Sequence, residues 1–255
     1  ANPLTAELSV MRTSLLPGLV SALRYNCNRQ QGRVRLFELG RRYVRGADGA
    51  PVETGLLALA VVGAARDEQW GEASRAVDFY DLRGDLESLF GQPVSFEVGG
   101  PAYLHPGRSA LVLCGGRQVG VIGMLHPKLA DSLDAPDGVY VAEVELDAVS
   151  ARPVPRASEL SRFPQVRRDL ALVVRDDVRF ADIDAVARAA AGSLLRSAVL
   201  FDVYRGPGVE SGCKSFAIGL IFQDDSRTLG DAEVDQLVAT VAAQAAADHG
   251  ARVRA

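Results

Sequence analysis

SRFPQVRRDLALVV, Ser161 to Val174, decides how the second half of the chain is read. RDLALVV is the apolar run of a strand. The segments that follow keep a regular order. FADIDAVARAAAG (180–192) has helical spacing and is closed by Gly192. LLRSAVLFDVYRG (194–206) and KSFAIGLIFQ (214–223) read as strands. GDAEVDQLVATVAAQAAADHG (230–250) is a long helix closed by Gly250, and ARVR (251–254) is a short last strand. The pattern β-α-β-β-α-β predicts a ferredoxin-like layer: one four-stranded antiparallel sheet, two helices on one face, the other face left open for binding.

Upstream, SARPVPRASEL (150–160) lacks apolar periodicity, and Pro153 and Pro155 bias it toward an extended conformation. It predicts a linker over 151–160 between a domain at 1–150 and one at 161–255. In the first domain, Leu15, Leu16, Leu19, Val20 and Leu23 recur at helical spacing, with Pro17 in the opening turn. VRLFELGRRYV (34–44) alternates as a half-buried strand, and GLLALAVVG (55–63) reads as a central one. DFYDLRGDLESLFG (78–91) predicts a helix with an acidic first turn. RSALVLCGGRQVGVIGML (108–125) predicts a hairpin turning at the glycine pair, and VYVAEVELDAV (139–149) another alternating strand. The fold class expected is α+β throughout.

Composition limits function. With 48% hydrophobic and 24% charged residues, the chain of 255 residues can bury real cores. No apolar run reaches membrane-spanning length. ANPLTAELSV is no signal peptide, and it reads as the cut end of a longer chain. Cys27, Cys114 and Cys213 are odd in number, far apart and outside any CxxC spacing, as expected of reduced thiols. Net charge is −4, and residues 161–255 carry 12 Lys+Arg against 13 Asp+Glu, so an anion site here must be a local arginine cluster.

Most chemical motifs are absent: no Walker loop, GxGxxG, HExxH or GxSxG, hence no nucleophile–base set. GVIGML (120–125) lacks the context of a phosphate loop. His105 and His126 both precede Pro and predict turns. Asp81 and Asp85 share a helix face, and a solvated helix start is the simpler reading than a Mg²⁺ site. The candidate site lies around the first strand of the second domain. Arg162, Arg167 and Arg168 crowd its entrance, with Phe163 reading as an exposed aromatic. Arg205 ends one strand, Lys214 opens the next, and Arg227 precedes the last helix, while Tyr204 offers a second ring. Lys214 is expected to approach Arg167 and Arg168. Such a set serves either as a solvated edge or as a grip on nucleic acid, with bases stacked on rings and phosphates on arginines.

Several blocks resemble one family. SVMRTSLLPGLVSALRYNCNRQ (9–30), DFYDLRGDLESL (78–89), YLHPGRSA (103–110), GVIGMLHPKL (120–129), ELSRFPQVRRDLALVV (159–174), LFDVYRGPGV (200–209) and KSFAIGLIFQDDSRTL (214–229) are similar, in order, to the C-terminal part of bacterial phenylalanyl-tRNA synthetase beta chains. The resemblance implies a class II synthetase-like antiparallel sheet domain at 1–150, catalytic in ancestry and inactive itself, then a ferredoxin-fold anticodon-binding domain. It implies a non-catalytic role with tRNA(Phe) and a catalytic alpha chain as partners, in a cytoplasmic heterotetramer of two alpha and two beta chains. Neither DNA nor a membrane is an expected partner. The holoenzyme would use ATP and Mg²⁺, and this chain would hold no cofactor or metal and no catalytic residue. The tRNA-facing residues would be Arg162, Phe163, Arg167, Arg168, Tyr204, Arg205, Lys214, Ser215 and Arg227. Arg168 with Asp169 forms an expected internal ion pair. A ferredoxin-like module that binds a small amino acid, on an inert scaffold, is the alternative reading.

Overall fold

The structure is a computed structural model and describes residues 9–154 and 161–254. The chain splits into two compact units, Ala1–Pro155 and Arg156–Ala255. Of the expected linker, residues 151–154 carry neither helix nor strand, and 155–160 lie outside the described residues, as do 1–8 of the start.

The first unit runs α1 (Leu16–Cys27), β1 (Arg33–Arg45), β2 (Pro51–Gly63), α2 (Phe79–Leu89), β3 (Val94–Val98), β4 (Leu104–Cys114), β5 (Arg117–Leu125), α3 (Pro127–Ser132), β6 (Tyr140–Glu145) and α4 (Leu146–Ser150). Its six strands form one antiparallel sheet in the order β1-β2-β6-β5-β4-β3. Period-two alternation sends Val34, Ala58, Ala60 and Val141 to one face, where Leu15 and, from α1, Leu16, Leu19, Val20 and Leu23 cover them. Leu57, Val61, Val112, Ile122 and Val144 go to the other, under Leu82 and Leu86 of α2. The β4–β5 hairpin turns at Gly115 and Gly116, both at positive φ (57° and 78°), as a two-residue turn between right-twisted strands requires.

Three local readings gain a physical cause. His105 Nδ1 accepts the Gly107 N–H at 3.0 Å, and His126 Nδ1 accepts the Lys128 N–H at 3.3 Å, so both histidines hold turns. The glycines of GVIGML give clearance between strands. A methyl on Gly123 would stand 2.7 Å from the Ser109 Cβ, and one on Gly120 2.7 Å from the Val144 Cα. Asp81 and Asp85 are each taken by an arginine. Arg75 holds Asp81 with bonds of 2.6 and 2.7 Å, and Arg35 pairs with Asp85. Among the described residues no cluster of three or more His, Cys, Asp or Glu is placed to hold a metal.

Two expectations change. Strand β6 does not alternate. Residues 140–144 are all buried, because β2 and β5 flank it and helices cover both sheet faces; after Glu145 the chain turns helical as α4. Glu143, 7% exposed, is held there by the Ser14 hydroxyl (2.8 Å) and the Leu15 N–H (2.7 Å), both donating to Oε1. The edge strand β3, VSFEV, is the second; it packs Phe96 beneath the Arg83 guanidinium, 4.6 Å from the ring centroid.

The second unit runs β7 (Val166–Arg175), α5 (Phe180–Ala191), β8 (Leu195–Tyr204), β9 (Cys213–Phe222), α6 (Asp231–His249) and β10 (Arg252–Val253). The sheet order β10-β7-β9-β8, antiparallel at every step, is the ferredoxin-like arrangement. Even-numbered residues of β7 and β9 (Leu170, Leu172, Val174, Phe216, Ile218, Leu220, Phe222) pack with Ile183, Val234 and Val241 of the two helices. Odd-numbered residues of the same strands face the other way, where no helix of this unit lies among the described residues.

Candidate functional site

Strand parity sorts the nine sequence-predicted residues. Arg167 is odd and points to the uncovered face, 52% exposed at its side chain. Its guanidinium sits 5.4 Å from the ring centroid of Phe201, itself 51% exposed, and its Nε donates to Asp169 Oδ1 at 2.8 Å. Tyr204 is on the same face, paired with Ser215, and donates its hydroxyl to the Pro207 carbonyl at 3.1 Å. Over its ring, at 4.8 Å, lies the guanidinium of Arg254. The backbone N–H of Arg254 donates to the Ala171 carbonyl, which carries the β10 ladder one residue on. Ser215 is buried between Val173 and Tyr204 and forms part of the floor.

Arg168 is a correction. It is even-numbered and turns to the helix side. There its Nη2 donates to Asp231 at 2.6 Å and its Nε to Asp235 at 2.9 Å, both in the first turns of α6. These two bonds hold its guanidinium more firmly protonated than usual. Asp169 therefore pairs with Arg167, not with Arg168. The clamp also anchors a helix whose N-cap is Gly230, which supplies no capping side chain.

Lys214 is the second correction. Only 8% exposed, it also lies on the helix side, where Nζ donates to the Asp176 carbonyl at 2.7 Å and rests 5.1 Å from the Phe216 ring centroid. Burial, and next the nearby Arg205, lower its pKa. Its register partner is Val174, whereas that of Arg167 is Ile221, so Lys214 and Arg167 occupy opposite ends of the sheet.

The remaining residues fall at the two ends. Arg205 bonds Asp176 at 3.2 Å at the Lys214 end. At the other, Arg227 is gripped by Glu233 (2.7 and 2.5 Å) with Asp224 beside it. Phe163 is half-buried rather than exposed: its carbonyl accepts from Gln223 at 2.7 Å, and Ser161 ties the same stretch to the Asp224 carbonyl. Arg162 is exposed and makes no hydrogen bond or ion pair among the described residues.

The uncovered face thus brings together Arg167, Tyr204 and Ser215 with two residues that sequence reasoning missed, Phe201 and Arg254. It presents two aromatic rings, each under an arginine and three residues apart along β8, or roughly 10 Å at the usual strand rise. Arg252, opposite Val173, bonds Glu210 at 2.8 Å on the same side. Flat rings under planar cations suit a planar, anionic, single-stranded ligand.

Comparison with known proteins gives consistent matches. Residues 1–146 match the family described as phenylalanyl tRNA synthetase beta chain CLM domain, and residues 161–254 match the ferredoxin-fold anticodon binding domain. The chain is 51% identical over 259 residues to the phenylalanine–tRNA ligase beta subunit of Xanthomonas axonopodis pv. citri (strain 306), covering 100% of this chain and 33% of that protein. It is 49% identical over 258 residues to the beta subunit of Xylella fastidiosa (strain 9a5c), covering 99% of this chain and 33% of that one. The chain thus spans about a third of the length of the curated relatives it matches. A solved pyrrolysyl tRNA synthetase from Desulfitobacterium hafniense overlaps 55% of this chain and 48% of its own, at 16% identity and a TM-score of 0.39, too loosely to bear on the fold.

Proposed function

The chain belongs to the phenylalanyl-tRNA synthetase beta chain family, and from that membership we propose that its second unit binds the anticodon arm of tRNA(Phe) on the uncovered sheet face. The first unit, residues 1–150 with its antiparallel sheet, serves as a non-catalytic scaffold for a catalytic alpha chain, in a cytoplasmic tetramer of two alpha and two beta chains. ATP, Mg²⁺ and phenylalanine are then handled by the partner, which joins the amino acid to the tRNA.

The observation that carries the RNA reading is the pair of arginine-covered rings, Phe201 under Arg167 and Tyr204 under Arg254. An unpaired base would displace each guanidinium from its ring and stack there, while the freed arginine turns to the adjacent phosphate. The exchange gives a salt-sensitive contact on a chain whose net charge is −4.

The test is fluorescence anisotropy of a labelled tRNA(Phe) anticodon stem-loop against the full chain at low and moderate salt. Saturable binding that weakens steeply with salt is the expected result. No binding at low salt, by a chain that remains folded, overturns the assignment of the RNA contact to this face. Free phenylalanine is expected to give no heat by calorimetry; a binding isotherm would favour the amino-acid-binding alternative.

A further inference from the structure

On the side of the first sheet covered by α1, a cleft of about 440 Å³ opens between α1 and α3, within the volume range of small-molecule sites. Its apolar lining comes from Leu16, Pro17 and Val20 of α1, Leu125 at the end of β5, Leu129 of α3, and Leu133 just beyond. Leu16, Val20 and Leu125 are buried, each 5% exposed or less, and form the floor; Leu133, at 38%, belongs to the rim.

The polar groups of the lining are few. Thr13, Ser14, Ser21, Tyr103 and Arg24 complete the lining. Two of them are already engaged. The Ser14 hydroxyl donates to Glu143, and the Ser21 hydroxyl to the Pro17 carbonyl at 2.9 Å. The Tyr103 hydroxyl and the Thr13 hydroxyl make no hydrogen bond among the described residues. Arg24 bridges the cleft end by donating Nη1 to the Leu133 carbonyl at 2.8 Å and has no carboxylate partner among the described residues. It is thus a half-buried cation beside an apolar hollow, with no ion pair among the described residues.

We propose that this cleft is a binding site for an amphipathic organic acid, a molecule with an apolar body of about ten carbons and one carboxylate. The body lies along Leu16, Val20, Leu125 and Leu129, and removing it from water supplies the affinity. The carboxylate meets the remaining N–H groups of Arg24, with the free Tyr103 hydroxyl as a further donor. Charge selects the ligand: a neutral alcohol of the same length gains only the apolar contact, and an alkyl amine meets the like charge of Arg24. The site lies wholly in the first unit and is independent of the RNA-binding reading above.

The probe is decanoate, titrated into the full chain while the methyl resonances of Leu16, Val20, Leu125, Leu129 and Leu133 are followed by NMR, with decanol and decylamine as controls. Saturable shifts confined to these methyls, with decanoate at least tenfold tighter than decanol, are expected. Arg24→Gln is expected to erase that preference and Arg24→Lys to restore most of it, a rescue that loss of packing alone would not give. Ser21→Trp, at the exposed rim, keeps the test independent of the core: the indole is expected to block decanoate while the melting temperature is unchanged. Equal binding of decanoate and decanol overturns the carboxylate assignment. Shifts spread over unrelated methyls, or no saturation, overturn the site. Failure of Ser21→Trp to reduce binding would place the ligand elsewhere and has the same consequence.

Discussion

Arg167 and Arg168 are neighbours in sequence and work on opposite faces of one sheet: the first covers the Phe201 ring on the open face, and the second is pinned by Asp231 and Asp235 of α6 on the helix side. One strand thus divides a dipeptide between the open face and the helix side. The split gives a clean test. Arg168→Ala is expected to lower the melting temperature of the second unit by a few degrees, since it removes the clamp on a glycine-capped helix, and to leave stem-loop affinity unchanged. Arg167→Ala should keep the melting temperature, weaken RNA binding, and reduce the slope of log affinity against log salt by about one. The reverse pattern would refute the face assignment.

The two covered rings lead to a second expectation. Phe201→Leu and Tyr204→Leu keep an apolar strand residue and remove the flat surface. Each should cost about 1–3 kcal/mol of stem-loop binding, the usual worth of one stacked base. Near-additive losses in the double variant are expected if the rings receive separate bases. A quench titration on the same labelled stem-loop measures both.

Parity explains what was legible in advance. The β-α-β-β-α-β order, the hairpin at Gly115–Gly116 and the helix ends at Gly192 and Gly250 follow from turn chemistry and apolar spacing, which are local signals. The faces of Arg168 and Lys214 were equally available. Arg168 is in phase with Leu170, Leu172 and Val174, and Lys214 with Phe216, Ile218 and Leu220, so alternation already assigns both to the helix side. Closeness in sequence alone does not carry that phase. Phe201 and Arg254 are different. The register of β8 slips between Leu200 and Asp202, and Arg254 reaches Tyr204 only through the pairing of β10 with β7. Neither relation exists before the sheet is assembled. Glu143 likewise hides within VYVAEVE, because an acid in an alternating strand looks solvated until both faces are found covered.

Acid stability should depend on Asp81. Bonds from Arg75, then the backbone N–H of Asp78, hold its carboxyl at about 2, below the ordinary 3.8. A depressed folded-state pKa means the unfolded chain binds the extra proton first. The stabilisation is therefore complete above about pH 4 and is lost as pH falls toward about 2. Arg75→Gln should lower the stability of the first unit at neutral pH, and that loss should fade as pH falls toward about 2, where the wild-type and variant chains converge. Circular dichroism against pH reads both. Asp78→Ala, which removes the N-cap of α2, should cost about 1 kcal/mol at neutral pH.

Gly123→Ala tests the clearance between β4 and β5. Its methyl would meet the Ser109 Cβ at 2.7 Å and the Arg108 carbonyl at 2.8 Å. Overpacking of this kind is expected to cost about 1–3 kcal/mol by urea unfolding. Gly84→Ala on α2, where an added methyl meets nothing within 4 Å, should be neutral or stabilising and serves as the control.

The pairing of β10 with β7 has a bearing on synthesis. Val173, near the start of the second unit, finds its partner Arg252 only after α5, β8, β9 and α6 have been made. The first unit closes all six of its strands by Glu145 and can fold while translation continues. The second must keep one side of β7 open until the ribosome has finished with residue 254. Arg254 also covers Tyr204, so the open sheet face is completed after the first unit. A ribosome stalled a few codons before residue 254 would hold a chain with a finished first unit and an unfinished open face.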